Sequence, residues 1–306
     1  MCKSLFDKGK YFRTIPVINT DKLIGDKSIK NYAKNLDCLA GMLAHVYAVK
    51  IESDLRSSDD KRSNPTAIRR LYKKFLFYRH FIAGTLPLII PEGKTDAVYL
   101  RSAIQHLPEY HARLGRITAG SDARIRFMSF SDTIRDILQL GSGSGDLFNL
   151  IKDFEKNLRG YYHAPLSQPV IILIDNDDGA KSILSYVSQK WRPVTLKSTE
   201  SFFYLDYNLY LIKTPAVGLL EKTCVEDMFP QKLLKTVVDG KSFDADKKHE
   251  EPGKYGKTVF AMRVVVPQKA TIDFTGFCPL LDRIVAALDH HKQIRAGVVP
   301  ELAFTA

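Results

Sequence analysis

The chain has 306 residues, 45% hydrophobic and 26% charged, with a formal net charge of +11. These are ordinary globular values, enough for one large domain or two smaller ones, and they exclude wholesale disorder. No apolar run approaches the ~20 residues that cross a bilayer, and the opening "MCKSLFDKGKYF" lacks the apolar core of a secretory signal. Cys2, Cys38, Cys224 and Cys278 show neither C-x-x-C nor zinc-ligand spacing, so reduced thiols and a cytoplasmic location are expected.

The charge is unevenly spread. Residues 1–82 hold 17 Lys/Arg against 8 Asp/Glu, whereas the remaining 224 residues hold 28 against 26. Within "RRLYKKFLFYRH", Arg69, Arg70, Lys73, Lys74 and Arg79 alternate with aromatics. That pattern suits neutralisation of phosphates with base or backbone contacts, and points to DNA or RNA. A solvated helix face is the plainer reading.

Leu36, Leu39, Leu43 and Val46 recur at spacings of three and four, which predicts an amphipathic helix over about 28–51. A polar connection follows, and a second helix is expected from Pro65 through Phe81. The first quarter therefore reads as a small basic helical unit ended by "AGTLP". Strand and helix then alternate. "LPLIIP", "IRFMSF" and "PVIILID" read as strands, and "SFFYLDYNLYLIK" as one long strand or a tight hairpin. Helices are predicted in "DAVYLRSAIQHL", "DLFNLIKDFEKNL", "AKSILSYVSQKW", "VEDMFPQKLLKTVV" and "CPLLDRIVAALDHH". Fully apolar strands alternating with helices indicate a parallel α/β sheet buried on both faces.

Ligands of such sheets collect at the carboxyl ends of the strands. "PLIIPEGKTD" ends a strand in Glu92, Gly93 and Asp96, and "IILIDNDDG" ends another in Asp175, Asp177 and Asp178. An acid ending an apolar strand is costly without a partner. Several together repel strongly in a low-dielectric crevice, a cost that a divalent cation removes. Oxygen-only donors favour Mg²⁺ or Mn²⁺ over zinc. The plainer role for Asp96 and Asp178 is to complement the dipole of the helix each precedes.

Glu-Gly at one strand end followed by Asp-x-Asp at a later one resembles the TOPRIM domain of topoisomerases, primases and OLD-family nucleases. "EGKTD" is closer to the OLD-type form, whose second acid is also a ligand. Together, "LPLIIPEGKTDAVYLRSAI", "LQLGSGSGDLFNLI", "EDMFP" and "GKTVFAMRVV" resemble the C-terminal endonuclease region of retron-type RNA-directed DNA polymerase/endonuclease fusions. "FRTIPVINTDKL" and "NLDCLAGMLAHV" are similar to the reverse-transcriptase thumb of those fusions. The resemblance implies an α/β fold with a TOPRIM-like parallel sheet flanked by helices, preceded by a basic all-helical segment. The implied domains are 1–82 and 83–306. Because 82 residues separate Glu92 from Asp175, an insertion is expected at about 108–165. The polymerase motif Y-x-D-D is absent, so the chain is expected to be an effector half without polymerase activity, separately encoded or truncated.

The resemblance further implies that Glu92, Asp96, Asp175 and Asp177 hold one or two Mg²⁺ or Mn²⁺ ions. Glu221, Glu226 and Asp227 become candidates for a second ion, with surface charge the plainer role for Glu221 and helix N-termini for the other two. Lys257 would face the scissile phosphate, an ordinary surface lysine being the alternative. Two such ions about 4 Å apart clamp the attacking and leaving oxygens of phosphodiester cleavage. The expected activity is a metal-dependent endonuclease in antiviral defence. Its expected partners are nucleic acid and a reverse transcriptase core with its RNA–DNA product. Two other readings compete. One is a non-enzymatic module that binds RNA–DNA hybrids. The other is a methyltransferase using S-adenosylmethionine, suggested by the glycines of "DILQLGSGSGDLF"; a nucleotide cradle needs a preceding strand, and the apolar spacing here is helical. The glycines then read as a link between helices, with Asp146 as an N-cap.

Overall fold

The computed structural model describes residues 67–116, 122–161, 166–245 and 252–297. The helix expected over 28–51, Cys2 and Cys38 lie outside them. The chain divides into two compact units, Met1–Tyr72 and Lys73–Ala306. Of the first, only residues 67–72 are described, the start of helix α1 (Ala67–Phe77), which a π-helical turn, Tyr78–Ile82, prolongs.

The second unit is mixed α/β. Its five-stranded sheet contains β1 (Leu88–Pro91), β2 (Arg126–Phe127), β3 (Val170–Ile174), β4 (Phe203–Tyr204) and β5 (Leu209–Lys213). The spatial order is β2-β1-β3-β5-β4, parallel except for β4, which runs antiparallel to β5. Every residue of β1, β3 and β5 is buried, the result expected of apolar strands covered on both faces. The longer helices are α2 (Asp96–His106), α3 (Ser144–Leu158), α4 (Lys181–Lys190) and α5 (Cys278–Arg295).

Alternation along the strands sorts the core into two layers. Ile89, Ile171, Leu173, Tyr210 and Ile212 pack with Leu100 and Ile104 of α2, Phe260 and Val264 of the π-helical stretch Phe260–Val265, and Leu281 and Ile284 of α5. The intervening Leu88, Ile90, Ile172, Leu209 and Leu211 are equally buried and face the other way. On that side Ile151 and Phe154 of α3 line a small gap with Leu209, and the Phe154 ring meets Phe77 at a tilt and Phe81 edge-on. Burial of each such Ile or Leu contributes about 1.5–3 kcal/mol.

Two expectations change, at the first boundary and in one helix, and one alternative is decided. The boundary expected after residue 82 falls at Lys73, because Phe77, Phe81 and Ile82 are buried in the second unit and Asn208 donates to the Phe81 carbonyl at 2.9 Å. The stretch 108–165, where an insertion is expected, contains edge strand β2 and helix α3. "SFFYLDYNLYLIK" is the hairpin β4–β5, turned by Asp206 and Tyr207 at φ 71° and 55°, a twist that suits a two-stranded connection. The helix expected in "VEDMFPQKLLKTVV" is only a 3₁₀ turn, Val225–Met228, and a short helix, Gln231–Leu234. Pro230 separates them because its ring and missing N–H cannot continue a helix.

Candidate functional site

The two strands that end in acid are neighbours. Pro91 of β1 lies opposite Leu173 of β3, so Glu92 and Asp175 leave the sheet almost level. Asp175 N–H donates to Glu92 Oε2 at 3.1 Å. β1 and β3 are also where the chain changes direction across the sheet: β2 lies on one side of β1, and the later strands on the other. A crevice opens at such a switch point by topology alone.

Three more charged groups close on this pair. Asp96, in the first turn of α2, is 3% exposed and accepts from Gly93 N–H at 2.7 Å. A side chain on Gly93 would meet Asp96 Oδ1 at 2.7 Å, so the glycine of "EGKTD" makes room for the acid. Glu226 reaches in from the 3₁₀ turn, 1% exposed, while Val225 N–H donates to Asp175 Oδ1 at 3.1 Å. Lys257, at the start of the short helix Lys257–Val259, places Nζ 2.9 Å from Glu226 Oε2 and 4.0 Å from Asp175 Oδ2. Glu226 Oε1 is buried with no hydrogen-bond partner among the described residues.

Burial and mutual repulsion disturb these groups. Asp175 is pushed up to about 8, first by burial and next by the Asp96 carboxylate, with Lys257 opposing. Asp96 is pushed up to about 6 by burial and then by Glu226. Glu92 is raised by burial, against the hydrogen bond from Asp175 N–H. Burial alone would lower Lys257, but the charges of Glu226 and Asp175 outweigh it and hold the ammonium above its ordinary range.

The remaining expected residues divide. Asp177 Oδ1 accepts from Gly179 N–H at 2.8 Å, while its charge still acts on Glu92. Asp178 is exposed and paired with Lys181 and Lys222 at 2.9 and 2.6 Å. Asp227 accepts from Cys224 N–H at 2.8 Å in a capping box, the plainer role considered for it. Glu221 is exposed, its carbonyl accepting from Asn176 Nδ2 at 3.0 Å. Of the basic set, Arg70, Lys74 and Arg79 are exposed, and Arg69 and Lys73 half-buried.

The glycine run also belongs here, which its spacing did not reveal. Gly143 N–H donates to the Glu92 carbonyl at 2.9 Å, and Ser144 N–H to the Glu92 carboxylate, so the N-terminus of α3 abuts Glu92. Asp146 does not cap α3. Its Oδ2 instead accepts from Gly141 N–H at 2.7 Å and folds the glycines back. A π-helical turn, Ile134–Leu138, precedes them rather than a strand. Asn176, 4% exposed, was likewise missed; it joins Thr214 and Thr223 in fixing the loop after β3.

Among the described residues, no three His, Cys, Asp or Glu side chains converge on one ion as they stand. The acids form one cluster at the ends of β1 and β3, and Lys257 supplies its positive charge. No helix among the described residues is long and apolar enough to cross a membrane. Neither a family model nor a solved structure matches the chain.

Proposed function

We propose that this crevice is the active centre of a TOPRIM-like, Mg²⁺- or Mn²⁺-dependent endonuclease, the effector half of a retron-type reverse transcriptase system. The single observation that carries it is the hydrogen bond from Asp175 N–H to Glu92, which unites acids 83 positions apart at the switch point of a parallel sheet. Among the described residues, neither acid is paired with an arginine.

The donor set fits a hard divalent cation. It is all oxygen, one carboxylate oxygen of Glu226 is orphaned, and the acids repel one another unless positive charge is present. Glu92, Asp96, Asp175 and Glu226 would hold the ion, with Asp177 at the rim, and would have to draw inward to do so. Asp227 is engaged as a cap and Asp178 in surface ion pairs, so neither is counted. A bound divalent ion supplies a nucleophilic water and charge stabilisation at phosphorus. Lys257 offsets negative charge developing on the phosphate, in an environment where a fixed ammonium acts more strongly than in water. The N–H groups at the start of α3 orient Glu92. Arg70, Lys74 and Arg79 supply phosphate contacts to a DNA or RNA strand.

One observation favours a second reading, the non-enzymatic RNA–DNA binding module: among the described residues no three acids converge on one ion, and Lys257 already compensates Glu226. Incubating the purified chain and its Asp175→Asn variant with plasmid, single-stranded DNA and RNA, under Mg²⁺, Mn²⁺ or EDTA, decides between them. Metal-dependent cleavage lost in the variant supports the nuclease; binding without cleavage under every condition leaves the module.

A further inference from the structure

A cavity of ≈ 680 Å³ opens at the other end of the sheet from Glu92 and Asp175, where the chain enters β1 and β3 at Pro87 and Pro169. Its volume is that of a small-molecule site. Arg113 from the short helix His111–Leu114, Arg124 just before β2, and Lys292 and Arg295 near the end of α5 line it. No Asp or Glu is among its described lining residues.

Lys292 and Arg295 have an ordinary reason to be there, since cations complement a helix C-terminus. Arg113 and Arg124 come from other elements and bring two further cations to the same cavity. Arg113 is paired with Asp289, just outside the lining. Arg124 donates to the carbonyl of Ala112, and Arg295 to that of Ser167 at 3.0 Å. These acceptors are neutral, so they orient the guanidinium groups, and among the described residues no carboxylate is paired with Arg124 or Arg295. A fixed fork of donors matches phosphate oxygens in pairs.

We propose that this cavity is a second site, separate from the acid crevice, that binds the phosphate group of a multiply charged ligand. The shared chemistry is that of a free nucleoside polyphosphate and of a 5′-phosphorylated strand end. Calorimetry in EDTA at low salt, with ATP and with 12-nucleotide strands bearing 5′-phosphate or 5′-hydroxyl, separates these sources. ATP or the phosphorylated strand is expected to bind the full chain, and to bind Asp175→Asn equally. Combining Arg124→Gln with Arg295→Gln should weaken it at least about tenfold. Asp289→Asn should tighten it, an effect in the opposite direction that misfolding would not imitate. ATP binding without strand-end preference assigns a nucleotide; preference for the 5′-phosphate, competed by ATP, assigns a strand end. The proposal is overturned if neither ligand binds, if both strands bind alike and ATP does not, or if the double variant retains wild-type affinity.

Discussion

Lys257 Nζ stands between two acids brought in by different elements, 2.9 Å from Glu226 and 4.0 Å from Asp175. In the metal-free chain this ammonium is the near counter-charge of a crevice whose other charged groups are carboxylates. Replacing it by alanine leaves Glu226, 1% exposed, without its counter-charge. Lys257→Ala should therefore cost about 3 kcal/mol of stability in EDTA. Adding Mg²⁺ should recover part of that loss. Urea unfolding with and without Mg²⁺ measures both; unchanged stability in EDTA would remove Lys257 from its assigned place.

Asp175 behaves in the opposite sense. Its carboxyl is pushed up to about 8 from an ordinary 3.8, so the folded chain holds a proton that the unfolded chain releases. The stability this group contributes is present at low pH and is lost as pH rises between those values. Asp175→Asn should flatten that loss. At pH 7 it should raise metal-free stability by about 2 kcal/mol while abolishing cleavage. A variant less stable than the wild type at pH 7 would contradict the repulsion argument.

Asp227 separates capping from ligation. Its carboxylate is spent on Cys224 N–H, so Asp227→Ala should cost about 1 kcal/mol and leave the metal dependence of cleavage unchanged. A rise of tenfold or more in the Mg²⁺ requirement would make it a ligand instead.

His80 gives an acid-side signature. Burial, with Arg126 and Arg79 nearby, lowers its pKa from 6.5 to about 4. The imidazole is neutral when folded, and its contribution is complete above 6.5 and lost as pH falls toward 4, by up to about 3 kcal/mol. His80→Gln should reduce the slope of stability against pH in that window. Parallel curves for the two proteins would show that the ring is not desolvated.

The basic helix is tested by salt. Lys74→Gln and Arg79→Gln should each weaken nucleic-acid binding about equally across sequences, and should lower the slope of log affinity against log salt by about 1. Unchanged slopes would assign these residues to a solvated face. Deleting residues 1–82 is not an equivalent test, because it removes Phe77, Phe81 and Ile82 from the core.

What the sequence determined by itself was the alternation of apolar strands with helices, and the acids that end two of them. Both follow from local chemistry: an unbroken run such as "VIILI" has to be buried on both faces, and a carboxylate closing it is conspicuous. Strand order was not legible, because adjacency of β1 and β3 depends on packing between distant segments. Only the folded chain decided that Glu92 meets Asp175, that Lys257 joins Glu226 rather than solvent, and that Asp227 turns back to cap Cys224. The glycine run shows the same divide: its composition resembled a cofactor loop, and its place beside Glu92 was set by α3 packing onto the sheet, which no local spacing records.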